Sequence, residues 1–160
     1  MAGIVAGMSA EARIAELGIT LPAVPKPRWA YTPAVRAGQL LFVSGQIATA
    51  AGAILHPGKV GAAVSTEAAV ECARGCAISA LAVVRQACGT LDAVEAVVKV
   101  TVFVASAPGF GDQPTVANGA SELLRDVFGE TGLGARSAVG VAELPMNAPV
   151  EAEFVFALRA

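Results

Sequence analysis

The feature that most narrows the folds open to this chain is its C-terminal run Val150-Glu151-Ala152-Glu153-Phe154-Val155-Phe156-Ala157-Leu158. Its period of two is that of a half-buried strand, because successive side chains of an extended chain point to opposite faces. Val150, Ala152, Phe154, Phe156 and Leu158 share one face, which the period predicts to lie beneath helices. Glu151, Glu153, Val155, Ala157 and Arg159 share the other, and the strand is expected from Val150 to Arg159. The preceding segment, Ala135 to Leu144, reads as a strand with Arg136, Ala138 and Gly140 on one side and Ser137, Val139 and Val141 on the other. If Val139 and Val141 turn toward the helices, Arg136 joins Glu151 on the helix-free face. Arg and Glu are rarely buried unless paired or bound to something. Two readings stay open on parity: a salt bridge at a subunit interface, or an arginine that grips a substrate carboxylate beside a glutamate acting as general base.

The upstream segments supply a sheet and its cover. Ser9 to Gly18 predicts a short helix, with a hydroxyl N-cap and a terminal glycine. Leu21 to Pro27 holds three prolines and must be an extended loop. A strand is expected from about Trp29 to Val35, a turn at Ala37-Gly38, and a partner strand from Leu40 to Ile47. Ser65-Thr66-Glu67 opens a helix that runs to Cys88 and stops at Gly89. The β-branched stretch Val94 to Ala105 is a strand, with Lys99, Thr101 and Phe103 on one face and Val98, Val100, Val102 and Val104 on the other. A second long helix covers Thr115 to Phe128 and stops at Gly129. The order β-β-α-β-α-β-β predicts an α/β (α+β) fold in which one mixed sheet is backed by two helices.

Composition limits the chemistry. Of 160 residues, 55% are hydrophobic and 15% charged, an excess best explained by burial in subunit contacts, since charges or Gly and Pro interrupt every apolar run before it reaches membrane-spanning length. A net charge of -2 with scattered basic residues argues against a nucleic-acid footprint. His56 is the only histidine and sits in a turn-like Leu55-His56-Pro57-Gly58-Lys59, so a catalytic triad or a multi-histidine metal site would have to rest on one loop residue. Cys72, Cys76 and Cys88 lie in one helix without CxxC spacing or a nearby histidine. They read as small core residues in a reducing cytoplasm, and no metal site is expected. Gly-rich phosphate loops of the GxxxxGK[ST] or GxGxxG type are missing from the sequence. Met1 to Gly7 is apolar but short and lacks a basic leader, and reads as a loose N-terminus.

At several of these segments the chain resembles the YjgF-type reactive intermediate deaminase (Rid) family, also labelled endoribonuclease of the liver perchloric-acid-soluble protein (L-PSP) type. The matching pieces are Leu41-Phe42-Val43-Ser44-Gly45-Gln46-Ile47, Val97 to Val104, Asn118 opening the second helix, Ala135-Arg136-Ser137, and Leu144-Pro145 followed by Val150-Glu151-Ala152-Glu153. The resemblance runs from about Tyr31 to the C-terminus. It implies a chorismate-mutase-like fold over residues 28–160, preceded by an extension of residues 1–27 with its short helix and Pro-rich loop. It also implies a homotrimer with clefts between subunits, and cofactor-free hydrolysis of 2-enamine/2-imine acids to 2-keto acids and ammonia. By the same resemblance Arg136 would hold the substrate carboxylate with help from the main chain at Ala138, and Glu151 would orient or activate water. Tyr31 would come from a strand lining the cleft, with Ser44 and Asn118 adding polar contacts. Tyr31 rests on spacing alone and reads equally as an ordinary strand aromatic. Ala138 stands where the family often carries Cys, and the segments His56 to Gly61 and Pro108 to Pro114 are extra. A trimeric carboxylate-binding protein without turnover, or a ribonuclease as in the older label, are the alternative functions.

Overall fold

All five inward residues of the C-terminal alternation are buried, from Val150 at 0% exposure to Leu158 at 2%. The computed structural model describes residues 7–160, so the apolar start lies outside it except for Gly7. Strand β1 (Ala34–Ala37) pairs with β2 (Leu40–Ile47), and a small ribbon of β3 (Thr49–Ala50) and β4 (Ala53–Ile54) follows. Then come β5 (Val94–Ala105), β6 (Ala135–Val141) and β7 (Val150–Leu158). The main sheet has the order β1-β2-β7-β5-β6. Only β5 and β6 are parallel among its pairs, because a helical crossover joins them. Phe154 and Phe156 stack in the core with ring centroids 6.1 Å apart; each buried ring of this kind is worth about 1.5–3 kcal/mol relative to exposure.

The helices that cover this face are bounded by the residues that predict them. In α2 (Thr66–Cys88) the Ser65 hydroxyl accepts from the Ala68 N–H, and Gly89 closes the helix in the left-handed region at φ 80°. Helix α3 (Gln113–Phe128) begins earlier than Thr115, because Pro114 suits a first turn whose N–H groups need no intrahelical acceptor. Asn118 consequently sits in the second turn, not at the opening. The short helix α1 (Ala10–Glu16) is capped by Ser9 and feeds Ala10 and Ile14 into the core. Its Arg13 is only 5% exposed, donates from Nε to the Asp126 carbonyl at 2.9 Å, and pairs with Glu16. The Glu11 carboxylate receives Arg85 Nε at 3.1 Å and the Leu91 N–H at 2.9 Å.

Four expectations about the strands change. The strand predicted from Trp29 begins only at Ala34: residues 29–33 are a bent loop, since Pro33 has no N–H to give a ladder. The turn shifts to Gly38-Gln39, because Ala37 pairs with Leu40. The strands also end sooner, at Val141 and Leu158. An irregularity between Val97 and Lys99 resets the alternation of β5, so Val97 is buried and Val98 is 40% exposed.

Candidate functional site

The pairing register settles which side chains share a face. Arg136 lies in one row with Val100 and Phe154, Ala138 with Val102 and Ala152, and Gly140 with Val104 and Val150. These valines, Ala152 and Phe154 are buried beneath the helices. The neighbouring rows, Ser137-Thr101-Glu153 and Val139-Phe103-Glu151, occupy the open face. Arg136 and Glu151 are therefore on opposite faces of the sheet, which corrects the parity expected from the sequence. The reason is local. Strand β6 is an edge strand crossed closely by α3, and a Cβ on Gly140 would come within 2.9 Å of Gln113 Nε2 and 3.0 Å of Ser106 Oγ. Small residues fit under the helix there, while Val139, 45% exposed, turns to the open side.

Arg136 reaches over the first turns of α3. Its Nη1 donates to Asn118 Oδ1 at 2.8 Å and to Ser121 Oγ at 3.2 Å, and Nη2 donates to the Pro114 carbonyl at 3.3 Å. No carboxylate pairs with it among the described residues. The guanidinium is thus oriented by neutral acceptors, exposed, and left with donors for an external anion. Ala138 lies beside it on the helix side, packed against the core. As β6 is an edge strand, alternate main-chain groups there point away from the sheet.

Glu151 is the centre of a second cluster. Strands β2 and β7 pair at Ile47↔Glu151, Gln46↔Ala152 and Val43↔Phe154, so Ser44 and Gly45 together oppose Glu153. This two-against-one bulge bends β2 beside Glu151. A Cβ on Gly45 would lie 1.9 Å from Glu151 Oε1, so only glycine leaves the carboxylate its place. Burial, and then the neighbouring Glu153, push the Glu151 carboxyl above its ordinary value. Ser44 donates its hydroxyl to the Thr32 carbonyl at 2.7 Å, and its N–H to Pro33 at 2.9 Å, which holds the loop of Tyr31 against β2. Tyr31, Ser44, Gly45, Glu151 and Glu153 line one cavity of about 740 Å³ with the Pro-rich segment. The structure thus brings Tyr31, Ser44 and Glu151 together, with Tyr31 coming from the loop instead of a strand. It groups Arg136, Asn118 and Ala138 separately, on the other side of the sheet.

A family model described as "YjgF/chorismate_mutase-like, putative endoribonuclease" matches residues 11–157. The chain belongs to the YjgF family. It is 42% identical over 157 residues to Protein TCP17 of Trypanosoma cruzi, spanning 98% of both chains. It is 31% identical over 141 residues to the 2-iminobutanoate/2-iminopropanoate deaminase of Dermatophagoides farinae, over 88% of this chain and 95% of that protein. Among solved structures, Atu1372 from Agrobacterium tumefaciens, a protein of unknown function, superposes with a TM-score of 0.86 at 42% identity, covering 94% of this chain and 92% of the other.

Other reactive side chains in this YjgF-family chain are engaged elsewhere. Burial raises the Cys72 thiol to about 11, and raises Cys76 further. Their sulfurs donate to the carbonyls of Leu55 and Val150, so both are core residues as their spacing predicts. His56 is less free than a solvated loop histidine: its Nε2 meets Glu71 Oε2 at 2.9 Å. Among the described residues no three His, Cys, Asp or Glu side chains are grouped to hold a metal, and no helix is long and apolar enough to cross a membrane.

Proposed function

We propose that the protein hydrolyses 2-enamine/2-imine acids to 2-keto acids and ammonia, without a cofactor, in clefts between copies of a homotrimer. The observation that carries this reading is Arg136: three bonds to α3 aim its guanidinium, no carboxylate neutralises it among the described residues, and it sits at an open sheet edge. That is the arrangement a substrate carboxylate requires. A single chain holds Arg136 and Glu151 on opposite faces, so the proposed cleft takes Arg136, Asn118 and the Ala138 main chain from one copy. The next copy supplies Glu151, Tyr31 and Ser44. The exposed Phe42 and Val139 of the open face favour such contacts. Three free cysteines suit the reducing cytoplasm in which the reaction is placed.

The chemistry asks little of the protein. Water adds its oxygen to the imine carbon and a proton passes to nitrogen; the carbinolamine then expels ammonia as the keto group forms. Glu151 orients the water and takes its proton, and a carboxyl raised by burial is a stronger base than an ordinary one. Arg136 fixes the acid so that the electrophilic carbon meets that water. The 31% identity to an imine deaminase supports the assignment.

The test uses imines generated in situ by an amino-acid oxidase, with keto acid and ammonia measured against time. The purified protein should accelerate their release, and Arg136→Ala should lower kcat/KM by about 100-fold or more, the loss expected for a charge-assisted anchor, while remaining trimeric by light scattering. Equal rates for variant and parent would overturn the assignment. Ala138, in place of a frequent cysteine, favours a second reading, a carboxylate binder without turnover. Binding of a keto acid that depends on Arg136, with no rate enhancement, would select it.

A further inference from the structure

The cavity at Glu151 has a wall that water addition to an imine does not require. Trp29 is 66% exposed and Met146 53% exposed, and both line the same cavity as Tyr31, Ile54 and Glu151. Apolar surface left in water forgoes about 25 cal/mol per Å², so a ligand that covers these groups gains from doing so.

The backbone shows that Met146 is held in place. It adopts φ 56° and ψ 26°, and Asn147 follows at φ 60°. Such left-handed positions cost a side-chain-bearing residue on the order of 1–3 kcal/mol, and glycine would accept them more readily. The turn is pinned from two directions. Within it, the Ala148 N–H donates to the Pro145 carbonyl at 3.1 Å. From outside, the Gly58 N–H donates to the Asn147 carbonyl at 2.9 Å, and Lys59 Nζ meets Glu143 Oε1 at 2.8 Å. The extra segment around His56 to Gly61 thus braces the turn that carries the thioether. Trp29 belongs to a bend closed by the Tyr31 N–H donating to its carbonyl at 2.9 Å.

Volume bears on the same point. In one copy the cavity of about 740 Å³ lies inside the range of small-molecule sites, roughly 300–1,000 Å³, before the neighbouring copy adds its side of the proposed cleft. Aromatic rings pack favourably on an indole face and against methionine sulfur.

We infer that this site selects 2-imino acids with a bulky, aromatic side chain, the ring packing on Trp29 and Met146 while the imine carbon lies at Glu151. The reacting end of this inference rests on the deaminase proposal; the side-chain end does not. Two measurements separate them. The first compares kcat/KM for imines generated from phenylalanine and from alanine; the aromatic imine should be favoured about tenfold or more, and Trp29→Ala or Met146→Gly should reduce that ratio by about tenfold. Met146→Gly suits the left-handed backbone, so strain cannot account for its effect. The second is calorimetric binding of phenylpyruvate and pyruvate to the full-length protein, which needs no turnover. Phenylpyruvate should bind more tightly, and Trp29→Ala should remove the difference. If no imine is hydrolysed but this preference holds and depends on Trp29, the deaminase reading fails and the side-chain inference stands. If pyruvate binds as well as phenylpyruvate, or the preference survives Trp29→Ala, the inference is overturned whatever the turnover.

Discussion

Glu151 shows how a single position depends on its neighbour's missing side chain. Its Oε1 occupies the space a Cβ on Gly45 would take, only 1.9 Å away, so Gly45→Ala must displace either the carboxylate or the bulge. The atom met is the end of a flexible side chain, so the carboxylate can turn away at a cost on the order of 0.5–1.5 kcal/mol. We expect Gly45→Ala to lower the unfolding midpoint, and Gly45→Ala/Glu151→Ala to recover most of that loss. Denaturant unfolding of the two single variants and the double variant measures the coupling; strictly additive losses would show that the two residues do not compete for the same space. The segment around Gly45 and the charged Glu151 were both conspicuous in the sequence. Their contact was not, because it depends on the register in which β2 and β7 pair around the bulge.

Helix α1 carries the same lesson at the scale of an element. Its bounds were legible from Ser9 and Gly18, local signals that need no tertiary partner. Its docking was not legible, since Glu11 meets Arg85 and the Leu91 N–H, far away in the chain. Burial pushes the Glu11 carboxyl up, but the bonds from Leu91 and Arg85 outweigh it and hold the carboxyl below its ordinary value. A carboxyl lowered on folding binds its proton less tightly in the native state, so its contribution is complete above about pH 4.3, the unfolded value, and is lost as pH falls through the folded one. Glu11→Gln should therefore cost about 1 kcal/mol at pH 7, with the gap from the parent closing in acid. Urea unfolding at pH 7 and pH 3 checks this, and a gap unchanged by pH would exclude the ionic contact as its source. Strand β6 is the contrary case, in which turning Val139 and Val141 toward the helices misassigned the buried face. An edge strand crossed closely by a helix takes Ala138 and Gly140 inward and leaves Val139 outside.

For the whole molecule, the open face of the sheet is the decisive feature. One face lies under α2 and α3, while the other leaves Phe42 at 44% and Val139 at 45% exposure. We expect Val139→Lys to preserve the fold, because the side chain already faces away from the core, and to break the proposed trimer into monomers with loss of the proposed activity. Circular dichroism and light scattering test both halves; a trimer that tolerates lysine at 139 would place the interface elsewhere. The sequence by itself determined the order of the main-sheet strands and the helices, the caps of α1 and α2 and the buried face of β7, since these rest on periodicity and on residues a few positions apart. It also marked Arg136 and Glu151 as the charges to explain. Only the tertiary structure decided that they lie on opposite faces. Parity states which side chains of one strand agree, but it is relative until a neighbouring strand's register assigns the faces, and that register belongs to the assembled sheet.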